Sequence, residues 1–328
     1  MDKGTSIDGV LLQWGDRLFY PPNRMVRPRE QPRLAALAAR QRSARLRERI
    51  AATVRRAPQV MVKVTGGGRG MKAIAAHFRY ISKNGRLDIE DDERRLSRGK
   101  DTLREIGEEW RYGGGLIPEI SDRREALNIM LSMPRGSADA SIVERAARAF
   151  ARDELVGHKY VMVLHDHQAH PHVHITVRAE SKDGRRLNPR KADLQRWRET
   201  FAERLRELGI DAEATRQATR GATRNYRSIW QEKAKAEGRL RRDRPESRSG
   251  AGAARSRDAA AEAWLRIAEV LARSPDAGDR ELARACATLG EGCRTAVEHY
   301  LARAPRQGPE ERDQVSQAPE LDAPRLTR

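Results

Sequence analysis

HKYVMVLHDHQAHPHVHITVRAE, residues 158–180, decides how the chain is read. Two runs in which valine, leucine and isoleucine recur at strand spacing, HKYVMVLH (158–165) and HVHITVRAE (172–180), flank the short connection DHQAHP. That pattern predicts two strands joined as a hairpin. Five of the chain's eight histidines fall within ten residues of this stretch: His165, His167, His170, His172 and His174. Side chains on a strand repeat with period two, so His172 and His174 share one face. Across the hairpin, His165 can sit beside them. Three converging neutral imidazoles make a metal site, and they leave the cation's charge available as a Lewis acid.

Outward from the hairpin, QVMVKVT (59–65) alternates as a strand, GGGRG (66–70) is a loop, and MKAIAAHFRYISKNG (71–85) reads as a helix ending near Gly85. Residues 86–101 are charge-rich and read as exposed, and 102–111 as a short helix before a glycine loop at 113–115. ALNIMLSMPRG (126–136) reads as a strand, and ASIVERAARAFARDEL (140–155) as a helix. LQRWRETFAERLRELG (194–209) reads as an amphipathic helix, with Trp197 in the core. The order of these elements predicts an α/β (α+β) domain with a partly antiparallel central sheet covered by helices.

The flanks divide by composition. Residues 1–58 read as an N-terminal arm (1–32) followed by a basic helix (33–56) that Pro58 stops. The best-patterned domain covers 59–225. Residues 226–257 form a basic linker, 258–303 a small helical module, and 304–328 a disordered tail. Lysine plus arginine number 65 against 47 acids, a net charge of +18, which favours a polyanionic partner such as nucleic acid. Cys286 and Cys293 exclude a disulfide scaffold or a four-cysteine zinc module and read as core residues. No stretch is apolar enough to span a membrane and no secretory signal is recognised, so a cytoplasmic location is expected.

The histidine spacing narrows the chemistry. Thr176 stands where the His-x-His-x-Asp-His pattern of metallo-β-lactamase-type hydrolases needs aspartate, and no helical His-Glu-x-x-His is present. Tyr80, in HFRYISKNGRL, is a candidate nucleophile for a phosphodiester, since a phosphotyrosine ester conserves the bond energy and can be religated.

Three stretches together resemble the conjugative relaxase, or mobilization nuclease, family of single-strand DNA endonucleases of the His-hydrophobe-His type. The similarity is to its border-nicking, type IV secretion branch. VMVKVTGGGRGMKAIAAHFRYISKNGRL resembles the family's strand, glycine loop and tyrosine-bearing helix. IMLSMPRGSADASIVERAARAFARDEL resembles its strand ending in Ser-x-Pro, and KYVMVLHDHQAHPHVHITV its metal hairpin. The resemblance spans about 59–225 and implies a relaxase-like fold with a helical C-terminal segment.

It places Tyr80 as the nucleophile and His165, His172 and His174 as metal ligands. Asp166, His167 and His170 are further candidates, as ligands or as groups that orient one; the family's usual aspartate two residues after the first histidine is His167 here. The implied reaction is strand-specific nicking and religation at a transfer origin through a covalent 5′-phosphotyrosine. The implied cofactor is Mg²⁺ or Mn²⁺, with Zn²⁺ or Ni²⁺ also suited to imidazoles. The implied partners are single-stranded or supercoiled DNA, relaxosome accessory proteins and a type IV secretion coupling protein, with transfer of the protein into a recipient cell.

Candidate DNA contacts are Arg69 and Lys72 at the glycine loop, supported by backbone N–H groups, then Lys83 and Arg86 after the tyrosine. Arg178, Arg185, Arg186, Arg190 and Lys191 beyond the histidines complete the set. Two other classes compete. HPHVHITV also resembles a histidine-triad nucleotide hydrolase, which needs no metal, although Pro171, His165 and the chain's size and charge argue against it. A non-catalytic nucleic-acid-binding protein would account for the charge but not for the histidines.

Overall fold

In the computed structural model, residues 7–20, 36–167, 170–223, 229–243, 247 and 250–303 are described. In chain order the elements are α1 (Ile7–Phe19), α2 (Ala36–Val54), β1 (Met61–Gly66), α3 (Met71–Ile81), β2 (Ile89–Asp91), β3 (Leu96–Ser97) and α4 (Lys100–Tyr112). They continue as β4 (Ala126–Ser132), α5 (Ala140–Glu154), β5 (Tyr160–His165), β6 (His172–Arg178), α6 (Lys191–Glu207), α7 (Ile229–Ala236), α8 (Ala251–Ala272) and α9 (Ala277–Arg303). The strands form one six-stranded sheet in the order β1-β4-β6-β5-β2-β3. Every pairing of neighbouring strands is antiparallel, and the expected α+β class holds.

Period-two alternation gives the sheet two distinct faces. Val62, Leu127, Ile129, Met162, Val173 and Ile175 point to one, where Phe150 of α5 and Trp197, Phe201 and Leu205 of α6 close over them. Ala126, Val161 and Val163 point to the other, against Ile74, Phe78 and Ile81 of α3 and Trp110 of α4. Helices α3 and α4 leave part of that second face open: on the edge strand β1, Met61, Lys63 and Thr65 are exposed. The histidines lie on this same second face.

The structure departs from the sequence expectations at three places. The segment 86–101 is not merely an exposed charged stretch: β2 and β3 extend the sheet beyond β5 through pairs such as Glu90 with Met162. Within the N-terminal arm, 7–19 is helical, because Val10, Leu11, Trp14 and Leu18 fall on one stripe. The expected linker is helical in its first and last parts too, as α7 and the start of α8 at Ala251. Helices from both ends of the chain then share a third core, where Leu11, Leu18, Ile50, Trp264, Ile267 and Cys286 meet. Residues 304–328 lie outside the described residues.

The helical core is keyed to the sheet domain by buried polar contacts. Arg49 of α2 reaches Glu213 at 3.1 Å, Thr53 and Thr215 share a 3.1 Å hydrogen bond, and Trp264 Nε1 donates to Thr219 O at 2.6 Å. In the sheet domain, Phe150 is fully buried between Trp197 and Phe201, each meeting it edge-on. Phe150→Ala removes that ring from a filled core, so an unfolding free energy lower by about 3–5 kcal/mol is expected. Urea denaturation reads it as a lower midpoint at unchanged slope.

Candidate metal centre

The antiparallel register brings the imidazoles together. His165 pairs with His172, and Val163 pairs with His174, so the three rings occupy one patch of one face. Ring centroids are 5.0 Å apart for His165–His172, 4.7 Å for His165–His174 and 5.0 Å for His172–His174. One nitrogen from each lies within 4.8 Å of the others, and all three residues are buried. Among the described residues this is the only such cluster of metal-ligating side chains.

Hydrogen bonds allocate the ring nitrogens. His165 Nε2 donates to Ile81 O at 2.6 Å, and His172 Nδ1 donates to His170 O at 2.9 Å. Each bond leaves the opposite nitrogen with its lone pair, the arrangement that commonly orients metal-bound histidines. His174 Nδ1 is buried without a hydrogen-bond partner among the described residues. Burial pushes the His174 pKa down to about 3, with the neighbouring imidazoles adding to the effect, so the ring is neutral at neutral pH. His165 is lowered as well, mainly by burial. Three clustered imidazoles with an orphaned buried nitrogen fit a divalent cation.

Tyr80 stands beside this cluster. It stands in the last turn of α3, 70% exposed, and its ring lies 6.4 Å from that of His174. The bond from His165 to Ile81 O holds the last turn of the same helix against the hairpin. Sequence reasoning missed His77, one turn before Tyr80. Its ring is 6.0 Å from Tyr80 and 6.4 Å from His174, and Nδ1 shares a 2.9 Å hydrogen bond with Thr176 Oγ1. The signal was the i, i+3 spacing in HFRY, which puts both rings on one face of the helix. Burial lowers the His77 pKa to about 4.

The additional candidates take other places. His170 accepts from Arg135 N through Nδ1 at 3.0 Å and supports His172 with its carbonyl. Its side chain is therefore an anchor for the turn, not a member of the cluster. His167 lies 5.2 Å from His165 by centroid, and exposed Asp166 stands 4.0 Å from the His167 ring. The Ser-x-Pro strand end braces the hairpin, since Ser132 Oγ donates to Pro171 O at 3.2 Å.

The basic candidates divide. Lys83 is exposed and close enough to depress the His165 pKa. Lys63 on the histidine face of β1 and Arg135 beside His170, which sequence reasoning passed over, are exposed and have no ion pair among the described residues. Arg86 is exposed and its carbonyl accepts from Arg98. Arg69 and Lys72 are exposed, but the backbone support expected for them is already used: Met71 N donates to Pro118 O and Lys72 N to Glu119 O. The glycines serve that packing. A Cβ at Gly67 would lie 2.3 Å from Ala126 O, and one at Gly70 (φ +89°) 2.4 Å from Glu119 O.

Arg178 departs most from expectation. It is 3% exposed and donates to Trp110 O at 2.9 Å and Gly113 O at 3.0 Å, and also to Gly115 O. It holds the end of α4, out of reach of any DNA. Arg185 pairs with Asp183, and Arg186 with Glu125 and Glu180. With Arg190 and Lys191 they follow the far end of β6, on the order of 15 Å from the histidines at strand rise.

Two measurements check these placements. Mn²⁺ titration by calorimetry is expected to show one site, weakened by more than about 10–100-fold on His165→Ala, His172→Ala or His174→Ala, since outer partners alone carry that much. Arg178→Met is expected to cost stability, about 1–3 kcal/mol for each buried carbonyl left unpaired, while single-strand affinity is unchanged. A loss of affinity without a loss of stability would contradict the structural role.

Residues 80–210 match the family model described as Relaxase: MobA/VirD2-like, nuclease domain. The chain is 27% identical over 184 residues to the T-DNA border endonuclease VirD2 of Rhizobium radiobacter, covering 50% of this chain and 43% of that protein. To the T-DNA border endonuclease VirD2 of Agrobacterium fabrum it is 27% identical over 202 residues, covering 54% and 45%. The Rhizobium rhizogenes protein of the same name is 26% identical over 133 residues, covering 36% and 30%. The chain spans less than half the length of these curated relatives. No solved structure matches it. The match to a MobA/VirD2-like relaxase nuclease domain over residues 80–210 supports the resemblance to the relaxase family.

Proposed function

We propose that the protein nicks and religates one DNA strand at a transfer origin, with Tyr80 as nucleophile and His165, His172 and His174 as the metal ligands. The observation that carries this reading is the exposed phenol of Tyr80 standing 6.4 Å, ring to ring, from one of three clustered imidazoles. The names of the curated relatives, border endonucleases, support the same reaction class.

A divalent cation bound there supplies Lewis-acid stabilisation of charge on the scissile phosphate. The chain's own groups do the rest. Tyr80 Oη forms a bond to phosphorus as it gives up its proton, and the bond from phosphorus to the 3′ oxygen breaks. The leaving oxygen takes up a proton and departs as a 3′-hydroxyl, while the 5′-phosphate stays on the tyrosine. An incoming 3′-hydroxyl reverses the steps and closes the strand. His165 and His172, each fixed by a carbonyl, present lone pairs without reorganisation. Lys83, Lys63 and Arg135 offer positive charge around the reacting phosphate.

Mg²⁺ or Mn²⁺ is the cation this reading favours, with Zn²⁺ and Ni²⁺ compatible with the donor set. Its partners are single-stranded or supercoiled origin DNA, relaxosome accessory proteins and a type IV coupling protein. The place of action is the bacterial cytoplasm, followed by transfer with the DNA. No described helix is long and apolar enough to cross a membrane.

Incubation with a single-stranded origin oligonucleotide and Mn²⁺, followed by mass spectrometry, is expected to find the fragment downstream of the nick joined through its 5′-phosphate to Tyr80, with the upstream fragment released with a 3′-hydroxyl. Tyr80→Phe is expected to bind the strand and form no adduct, and EDTA to abolish nicking of the wild type. An adduct that survives Tyr80→Phe removes this nucleophile. Cleavage indifferent to EDTA favours the metal-free histidine-triad chemistry.

A further inference from the structure

At the seam between the sheet domain and the helical core, a cavity of about 460 Å³ opens among α6, the segment 214–222 and α8. Its lining includes Arg198, Arg216, Arg220 and Arg257, and no carboxylate among the described residues. The volume is in the range that takes a nucleotide-sized ligand. Nothing in the nicking chemistry uses these arginines, and Arg257 belongs to a helix outside the matched nuclease segment.

Two of them carry the argument. Arg198 donates to Gln195 Oε1 at 2.7 Å, and Arg216 to Leu18 O at 3.4 Å; both acceptors are neutral. Neither forms an ion pair among the described residues. Burial lowers the pKa of each, with Glu199 the one carboxylate acting against it. Glu199 is itself raised by burial, bonded to Gln195 and drawn toward Arg49 at 3.7 Å, so its charge is shared. Arg198 is partly buried, whereas Arg216 stands exposed at the cavity's mouth. Holding a partly buried guanidinium without a dedicated counter-charge is costly, and a bound anion bridging the two would remove that cost. Gln217 Oε1, also in the lining, is buried without a partner among the described residues, as an acceptor for a base N–H would be.

The position suits a strand leaving the metal centre. Gln59 and Val60 line the cavity and lead into β1. There Met61 pairs with Ser132, which pairs with His172. The cavity thus lies off the histidine end of the sheet, on the order of 10–20 Å away by strand spacing and rise. The path runs around the edge strand, past exposed Met61 and Lys63.

We propose that this cleft holds a phosphate of the single strand, with its base beside Gln217, a few nucleotides from the tyrosine. The proposal rests on the nicking reading for its strand. A free nucleotide shares the phosphate chemistry and is separated from the strand by the test.

Fluorescence anisotropy of labelled dT25 between 50 and 200 mM salt gives the slope of log K against log salt. Arg198→Gln/Arg216→Gln is expected to weaken binding and reduce the slope by about 0.7, the value for one phosphate no longer neutralised. Arg198→Lys/Arg216→Lys is expected to keep the wild-type slope. If the double glutamine variant fails to fold, each single variant is expected to weaken binding and lose part of that slope. An unchanged slope in folded glutamine variants overturns the proposal. So does inorganic phosphate or dTMP that still binds, dependent on the arginines, when the wild type is saturated with dT25. Wild-type adduct formation tests the nicking reading separately. A protein that forms no adduct yet shows the arginine-dependent slope keeps the cleft; one that forms it with an unchanged slope loses the cleft alone.

Discussion

The pairing of His165 with His172 is the constraint on which the arrangement hangs. Strand side chains alternate, so a slip of one residue between β5 and β6 would send one set of histidines into the core with Phe150 and Trp197. Burial of Val173, Ile175 and Val177 against α5 and α6 makes that slip prohibitive. The hydrophobic side of the sheet therefore sets the polar side. From there the order passes to the nucleophile's helix, because His165 spends its second nitrogen on Ile81 O, one residue beyond Tyr80.

The sheet's central strands were legible because their pattern is local. Leucine, valine and isoleucine at alternate positions in 126–132, 160–165 and 172–178 announce strands whatever surrounds them. The stripe of Trp197, Phe201 and Leu205 likewise announces α6. The edge pair β2–β3 was not legible: strands of three and two residues in a charged stretch carry no period, and Ile89 alone is apolar and buried. Helix α1 carried a readable stripe, obscured by Pro21-Pro22 close behind it. In the metal centre, residue types and spacing pointed to the three histidines, and the three rings do come together. The carbonyls that fix two of those rings and the approach of His77 depend on tertiary packing, which no local window contains.

Charge illustrates the same division. A chain at +18 invites every arginine to be assigned to DNA. The structure uses many of them internally. Arg178 gathers the carbonyls at the end of α4, Arg49 is buried against Glu213, and Arg148 makes a two-pronged contact with Glu90 at 2.6 Å. Such guanidinium groups serve as rigid multi-donor braces, a task their planar fork suits better than lysine. The residual field around the histidines comes from fewer, unbraced groups, with Lys63, Lys83 and Arg135 among them.

The third core joins residues far apart along the chain, since α1 and α2 pack with α8 and α9. During synthesis the apolar stripe of α1 leaves the ribosome long before Trp264 and Ile267 exist. At about 5–20 residues per second, the roughly 200 residues between α2 and α8 take on the order of 10–40 s to make. The sheet can assemble in that interval, whereas the first two helices must wait, their greasy sides uncovered and open to chaperones.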